Sequence, residues 1–169
     1  MKEEVFNGIK YQLDEEILTA DVIENVDRER KIDIPEVVVF NEVSYRVTRI
    51  KEEGFSGYSS LTSITIPKSV TSIESGAFNG CDSLVSIVVA EGNTVYDSRD
   101  NCNAIIETAT NTLICGCRNT TIPNSVTSIG VRAFNECYKL TDITIPDSVT
   151  EIGEGAFDYC HKLTDITIP

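Results

Sequence analysis

Six cysteines and a single histidine are the side chains best suited to nucleophilic or metal chemistry in this 169-residue sequence. A Ser-His-Asp or Cys-His system needs a base beside its nucleophile, so His161 is the one centre where either could form. No neighbour of His161 completes such a relay, and a protein without catalytic function is expected. Cys115-Gly116-Cys117 brings two thiols together, but structural zinc sites use paired C-x2–4-C or Cys/His sets. The 27 acidic residues are scattered without the D-x-D-x-D-G spacing of a calcium loop. No metal and no cofactor are expected. Asn119-Thr120-Thr121 matches a glycosylation acceptor but falls on an expected strand.

The spacing of the cysteines says more than their reactivity. Cys137 and Cys160 lie 23 residues apart, as do Phe134 and Phe157, Leu140 and Leu163, and Pro123, Pro146 and Pro169. A short period that keeps apolar and turn residues in step marks a solenoid, whose repeats bury their apolar sides only against neighbours. Cys81, Cys137 and Cys160 share one repeat position, so they read as reduced, buried small hydrophobes that react only after unfolding. Cys117 counts onto a core position, which leaves too few ligands for a metal. A Cys102–Cys115 disulfide is the alternative for the irregular stretch between. His161 stands where Asp82 and Tyr138 stand in other repeats, and so reads as a surface residue.

The elements that position these residues follow from local pattern. Residues 1–39 do not fit the repeat; Val5, Ile9, Tyr11 and Leu13 alternate with polar residues, as do Ile32 and Ile34. Asn7-Gly8 is a two-residue hairpin signal, Thr19 to Val26 a further strand, and Asp27-Arg28-Glu29-Arg30 a polar turn. A charged, atypical segment at one end of a solenoid serves as a cap, so residues 1–39 are read as an N-terminal β cap and 40–169 as the solenoid. The first repeat carries a small hairpin near residues 40–46. The third, about residues 91–123, replaces its Ala-Phe-x-x-Cys turn with a hairpin, Ile105-Ile106-Glu107 against Thr112-Leu113-Ile114. That hairpin is expected to protrude without breaking the stack, leaving strands at Ile64, Ile87, Thr120, Ile143 and Ile166 as consecutive neighbours. Phe55, Phe78, Phe134 and Phe157 are expected to form one aromatic stack, with small Gly54, Ala77, Ala133 and Ala156 before them. Gly130 and Gly153 share a slot with Lys51 and Glu74, so no glycine-only conformation is expected there.

The unit Leu140 to Leu163, L-x-x-I-x-I-P-x-S-V-T-x-I-G-x-x-A-F-x-x-C, resembles the BspA-type leucine-rich repeats, also found in treponemal leucine-rich proteins. The resemblance implies a mostly β, α/β-type repeat fold: a right-handed leucine-rich-repeat solenoid of about five repeats, with hairpin inserts. It also implies a bacterial surface or secreted protein that attaches to host or neighbouring-cell proteins. A structural spacer, with binding carried by segments outside these residues, is the alternative.

The net charge of −13 disfavours nucleic acid and anionic membranes, which need clustered Lys and Arg. No apolar run approaches the ~18–20 residues of a membrane span, and MKEEVFNGIKYQ lacks the basic start and apolar middle of a secretory signal. Positions one, four and six of Leu140-Thr141-Asp142-Ile143-Thr144-Ile145 point inward. The outward row of the strands is therefore the candidate binding face: Ser63 and Thr65, Ser86 and Val88, Asn119 and Thr121, Asp142 and Thr144, Asp165 and Thr167. The last repeat ends on an unpaired strand, Leu163 to Ile168, for which weak end-to-end homodimers are expected.

Overall fold

The computed structural model describes residues 1–27 and 29–167. Alternation sets its first three strands. Ile9, Tyr11 and Leu13 are buried, and Lys10, Gln12 and Asp14 between them are half-buried. Asn7 and Gly8 take φ of 46° and 72°, the pair of positive values that a two-residue hairpin turn requires. β1 (Lys2–Phe6) therefore folds back on β2 (Ile9–Asp14), and β3 (Thr19–Asn25) pairs antiparallel with β2 on its other side.

From there the chain coils, each turn adding a rung to two parallel ladders. The first ladder begins at β4 (Lys31–Asp33). The second runs from β3 to the long strand of a hairpin, β5 (Val37–Phe40) and β6 (Val43–Ile50), whose turn residues Asn41 and Glu42 have φ of 49° and 67°. β7 (Ser63–Ile66), β8 (Ser72–Ile73) and β9 (Ser86–Val89) continue the two ladders. Ile32, Ile64 and Ile87 are in register in the first, and Val22, Ile50 and Ile73 in the second. Ile32-Asp33-Ile34-Pro35 is thus a rung of the first ladder, and the charged N-terminal meander extends the second.

The third repeat differs from expectation in two ways. Its hairpin, β11 (Ile105–Glu107) and β12 (Thr112–Cys115), preceded by β10 (Tyr96–Asp97), does not protrude. Ile105, Ile106 and Leu113 are fully buried, and β12 opens a new stretch of the second ladder, paired with β13 (Ser128–Ile129) but not, among the described residues, with β8. β14 (Asp142–Thr144), β15 (Glu151–Ile152) and β16 (Asp165–Thr167) follow, with Leu113, Ile129 and Ile152 in register through the second ladder.

Residues 117–122, however, form no strand. The first ladder stops at β9 and restarts as a separate β14–β16 pair, so the five strands are not consecutive neighbours. Thr120 explains the break. Its hydroxyl accepts the Cys117 N–H at 2.8 Å and donates to the Asn103 carbonyl at 2.8 Å, while the Thr121 N–H goes to the Cys102 carbonyl at 3.0 Å. Local side-chain bonds of this kind compete directly with a ladder.

The interior divides at the same place. One cluster runs from Ile9 to Val89 and takes in Tyr96, Ile105, Cys115 and Cys117; the other holds Cys102, Ile106 and Leu113 and continues to Ala156. The aromatic stack is likewise two pairs rather than one series. Phe55 lies on Phe78 at 5.4 Å and Phe134 on Phe157 at 5.1 Å, both nearly parallel. Gly116 stands between the pairs: its N–H donates to Ala133 as Phe55 donates to Ala77, and a Cβ there would sit 2.1 Å from the Phe134 ring. Gly54 permits the expected close approach, since a Cβ would meet Ile50 at 2.9 Å. Gly130 and Gly153 have no positive φ, but a Cβ on Gly153 would meet the Val131 nitrogen at 2.5 Å, so closeness rather than conformation selects glycine there.

Candidate functional site

Pleating turns alternate side chains of each first-ladder strand outward. In the N-terminal half Ser63, Thr65 and Ser86 are half-buried, Val88 is exposed, and Lys31 and Asp33 extend the same row. In the C-terminal half Asp142, Thr144 and Asp165 are exposed. Thr167 pairs with Thr144 in the ladder. Asn119 and Thr121 are exposed as well, but they lie on the irregular segment and belong to neither strand set. The candidate face is therefore two short platforms rather than one row.

Sequence reading missed what stands between them. Ser98 accepts the Val89 N–H at 3.0 Å and so closes the edge of β9. A 3-10 turn follows at Arg99–Asn101, where Asp100, Asn101 and Asn103 take φ of 57°, 52° and 52°. Three left-handed residues within four positions need side chains that tolerate that region, and Asp and Asn are the residues that do. The run Arg99-Asp100-Asn101-Cys102-Asn103 was the available signal. Arg99 is fixed beside the platforms, bound to both Asp97 oxygens at 2.6–3.0 Å and to the Asn111 side chain at 3.0 Å.

Charge is uneven across the two platforms. Asp142 and Asp165 are directly in register on adjacent strands. Like charges so placed destabilise a sheet, and Thr141 offsets this only locally, donating to Asp142 at 2.9 Å.

The repeat-position thiols are set against the aromatic turns. Cys81 donates to the Phe55 carbonyl and Cys160 to the Phe134 carbonyl, each at 3.1 Å. Burial pushes the Cys81 thiol up to about 12 and that of Cys160 to about 11, which keeps both protonated and unreactive. All six cysteines are free thiols, so Cys102 and Cys115 are not joined. Cys81 is buried as expected, whereas Cys137 and Cys160 are only half-buried. Cys137 borders a cavity, and Cys160 lies in the last described turn. His161 is exposed, its ring stacked on Tyr138 at 5.6 Å and edge-on to Tyr159 at 6.0 Å. Among the described residues no three Cys, His, Asp or Glu converge as metal ligands, and no helix is long and apolar enough to cross a membrane.

Coiled parallel ladders, a hydrophobic interior shared only between neighbouring turns and a recurring Leu/Ile/Phe spine define a right-handed leucine-rich-repeat solenoid. The family model described as BspA type Leucine rich repeat region (6 copies) matches residues 36–109 and 104–169. The chain belongs to that family. Among solved structures it is similar to a leucine-rich repeat protein from Bacteroides ovatus, with 28% identity and a TM-score of 0.63 over 98% of this chain and 41% of the other. A leucine rich cell surface protein from Faecalibacterium prausnitzii is 25% identical, with a TM-score of 0.53 over 99% of this chain and 54% of that one. A leucine-rich repeat protein from Eubacterium ventriosum gives 27% identity and a TM-score of 0.61 over 82% of this chain and 36% of its own. The chain thus spans about half or less of each of these proteins. No protein with curated annotation matched it.

Proposed function

We propose that this chain is a non-enzymatic protein-binding module of a bacterial surface or secreted protein, adhering to host or neighbouring-cell proteins through the outward strand platforms. Leucine-rich repeats of this family serve protein interaction, and one similar structure is described as a cell surface protein. The observation that carries the reading is the in-register Asp142 and Asp165 pair beside exposed Thr144. A repulsive pair on an open face costs stability, and a basic partner surface would relieve it.

Labelled protein applied to a cultured epithelial monolayer tests this. Asp142→Lys with Asp165→Lys should weaken binding by about tenfold, because reversing two interface charges turns attraction into repulsion. Glu91→Lys, at an exposed site off the platforms, should leave binding unchanged. Binding that ignores the platform variants would remove the face assignment. No binding at all by these residues would favour the spacer reading instead.

We also propose weak end-to-end association of these 169 residues through β16, which has β14 as its partner among the described residues. Ile166 is 38% and Tyr159 61% exposed, and covering such apolar surface stabilises by about 25 cal/mol per Å2. Asp158 and Asp165 oppose the contact, so dimers seen by sedimentation should strengthen with added salt. A strict monomer at high concentration and high salt would show that the edge protects itself.

A further inference from the structure

The two ladders begin unevenly. The N-terminal meander places β3, β2 and β1 ahead of β6 in the second ladder, whereas the first starts at β4 with no strand before it among the described residues. In a parallel ladder alternate residues of a strand bond to alternate sides. The Ile34 N–H goes to the Thr65 carbonyl and the Ser63 N–H to the Arg30 carbonyl, both at 3.2 Å, so Arg30, Ile32 and Ile34 face β7. The Lys31 carbonyl and the Asp33 N–H are thereby left on the open edge. At the far side of the same sheet Ser98 closes the edge of β9, but no strand pairs with that of β4.

A cavity of about 250 Å3 runs along this open edge, bordered by Lys31 and Asp33 and, across from them, by Asn7, Tyr11, Asn25 and Asp27. Two of these residues hold buried polar atoms with no hydrogen-bond partner among the described residues: the Tyr11 hydroxyl and the Asn25 side-chain nitrogen. Tyr11 is completely buried, and burial raises its phenol, so the hydroxyl stays protonated and can donate or accept. The Asn25 nitrogen can only donate. Buried polar atoms are normally paired, so two orphans on one cavity mark a place for a ligand group that both accepts and donates. A carboxamide does both. Tyr11 and Asn25 lie on β2 and β3, across the interior from β4, so a group reaching them from the β4 edge needs a long side chain.

We propose that an extended segment of a partner polypeptide adds to β4 as the rung the first ladder lacks, running parallel to it and placing one glutamine side chain against Tyr11 and Asn25. The backbone of that glutamine donates to the Lys31 carbonyl and accepts the Asp33 N–H, repeating the way Ile32 meets Ser63 and Thr65 one rung on. In strand addition the main chain supplies affinity and the pocket selects the side chain. The next residue of the segment stands beside Asp33 and is basic, because Asp27, Glu29 and Asp33 outnumber Lys31 around the cavity. The volume lies below the usual range of small-molecule pockets and suits a single residue. The site is an edge of the ladder, so loss of adhesion through Asp142 and Asp165 would leave it standing.

The probe is acetyl-threonyl-glutaminyl-lysinamide, titrated into isotope-labelled full chain and followed by NMR. Saturable shifts are expected at the Asp33 N–H and the Asn25 side-chain amide. An analogue N-methylated at the glutamine cannot donate to Lys31 and should bind about tenfold or more weakly. The leucyl analogue keeps the main chain but leaves both orphans unpaired, and should bind about fivefold more weakly. Tyr11→Phe removes a hydroxyl that has no partner in the free protein, so the fold stands. It should weaken the glutamine peptide by about fivefold, the worth of one neutral hydrogen bond, and leave the leucyl analogue unchanged. Absence of saturable shifts, as when the two polar atoms hold an ordered water only, would overturn the proposal. So would shifts confined to other surfaces, equal binding of either analogue, or unaltered glutamine-peptide affinity in Tyr11→Phe.

Discussion

Phe134→Ala should lower unfolding free energy by about 3–5 kcal/mol, the range for emptying a fully packed aromatic site. Phe134 is completely buried, stacked on Phe157 at 5.1 Å, and fills the space beside Gly116 where a side chain would otherwise stand. Phe78→Ala should cost less, because Phe78 already borders a cavity. Chemical denaturation of the two variants checks both points through their midpoints and slopes. Equal losses would mean that the aromatic series is continuous after all. A loss below about 1 kcal/mol for Phe134→Ala would mean that the third repeat collapses to fill the gap.

Stability should also fall steeply once the pH passes 9.0, the ordinary value of the thiols. Burial raises Cys81 to about 12 and Cys160 to about 11, and for the same reason lifts Cys102, Cys115, Cys117 and Cys137. The sign follows from which state holds the protons. Above 9.0 the unfolded chain releases them while the folded chain keeps them, so the folded state's advantage is complete below that pH and is lost as the pH climbs toward the folded values. Each thiol that titrates only when unfolded shifts the folding equilibrium by about tenfold per pH unit. Denaturation midpoints measured under reducing conditions should therefore decline from pH 9.0 to about 11, and Cys115→Ala should flatten the slope by one proton. A flat profile over that interval would show that the thiols ionise within the folded protein.

Most of the fold is legible in short patterns because each repeat makes the same demand on the same positions. Asn7-Gly8 specifies its hairpin through backbone conformation, and the 23-residue spacing of Phe134, Leu140 and Pro146 with their counterparts specifies the coil. Ile32-Asp33-Ile34-Pro35 fits the I-x-I-P strand ending, which explains how a segment next to the charged meander enters the first ladder. The third repeat defeated the same template. Thr120 falls where other repeats place Ile, and a hydroxyl turned inward must find a partner or carry an unsatisfied polar group. It found the Asn103 carbonyl, which lies on a loop whose path no local pattern reveals. The split of the candidate face followed from that bond. Reading Cys117-x-x-Thr120-x-Ile122 as a strand counted the spacing and overlooked the chemistry of its central residue.

The double interruption at the third repeat has a mechanical consequence. Neighbouring repeats elsewhere are tied by two hydrogen-bonded ladders and by stacked rings, and a solenoid's cooperativity is the sum of such nearest-neighbour terms. Between the second and fourth repeats both ladders are broken, the first after β9 and the second after β8, and neither ring pair crosses the gap. Exposed side-chain ties that cross it include Lys139 to Asp82 at 3.1 Å, Ser75 to the Val131 carbonyl at 3.3 Å, and Arg132 to Glu52 at 3.5 Å. Such exposed contacts are individually weak. Under tension along the coil, this junction is where extension would begin, yielding length before either half of the interior is torn open.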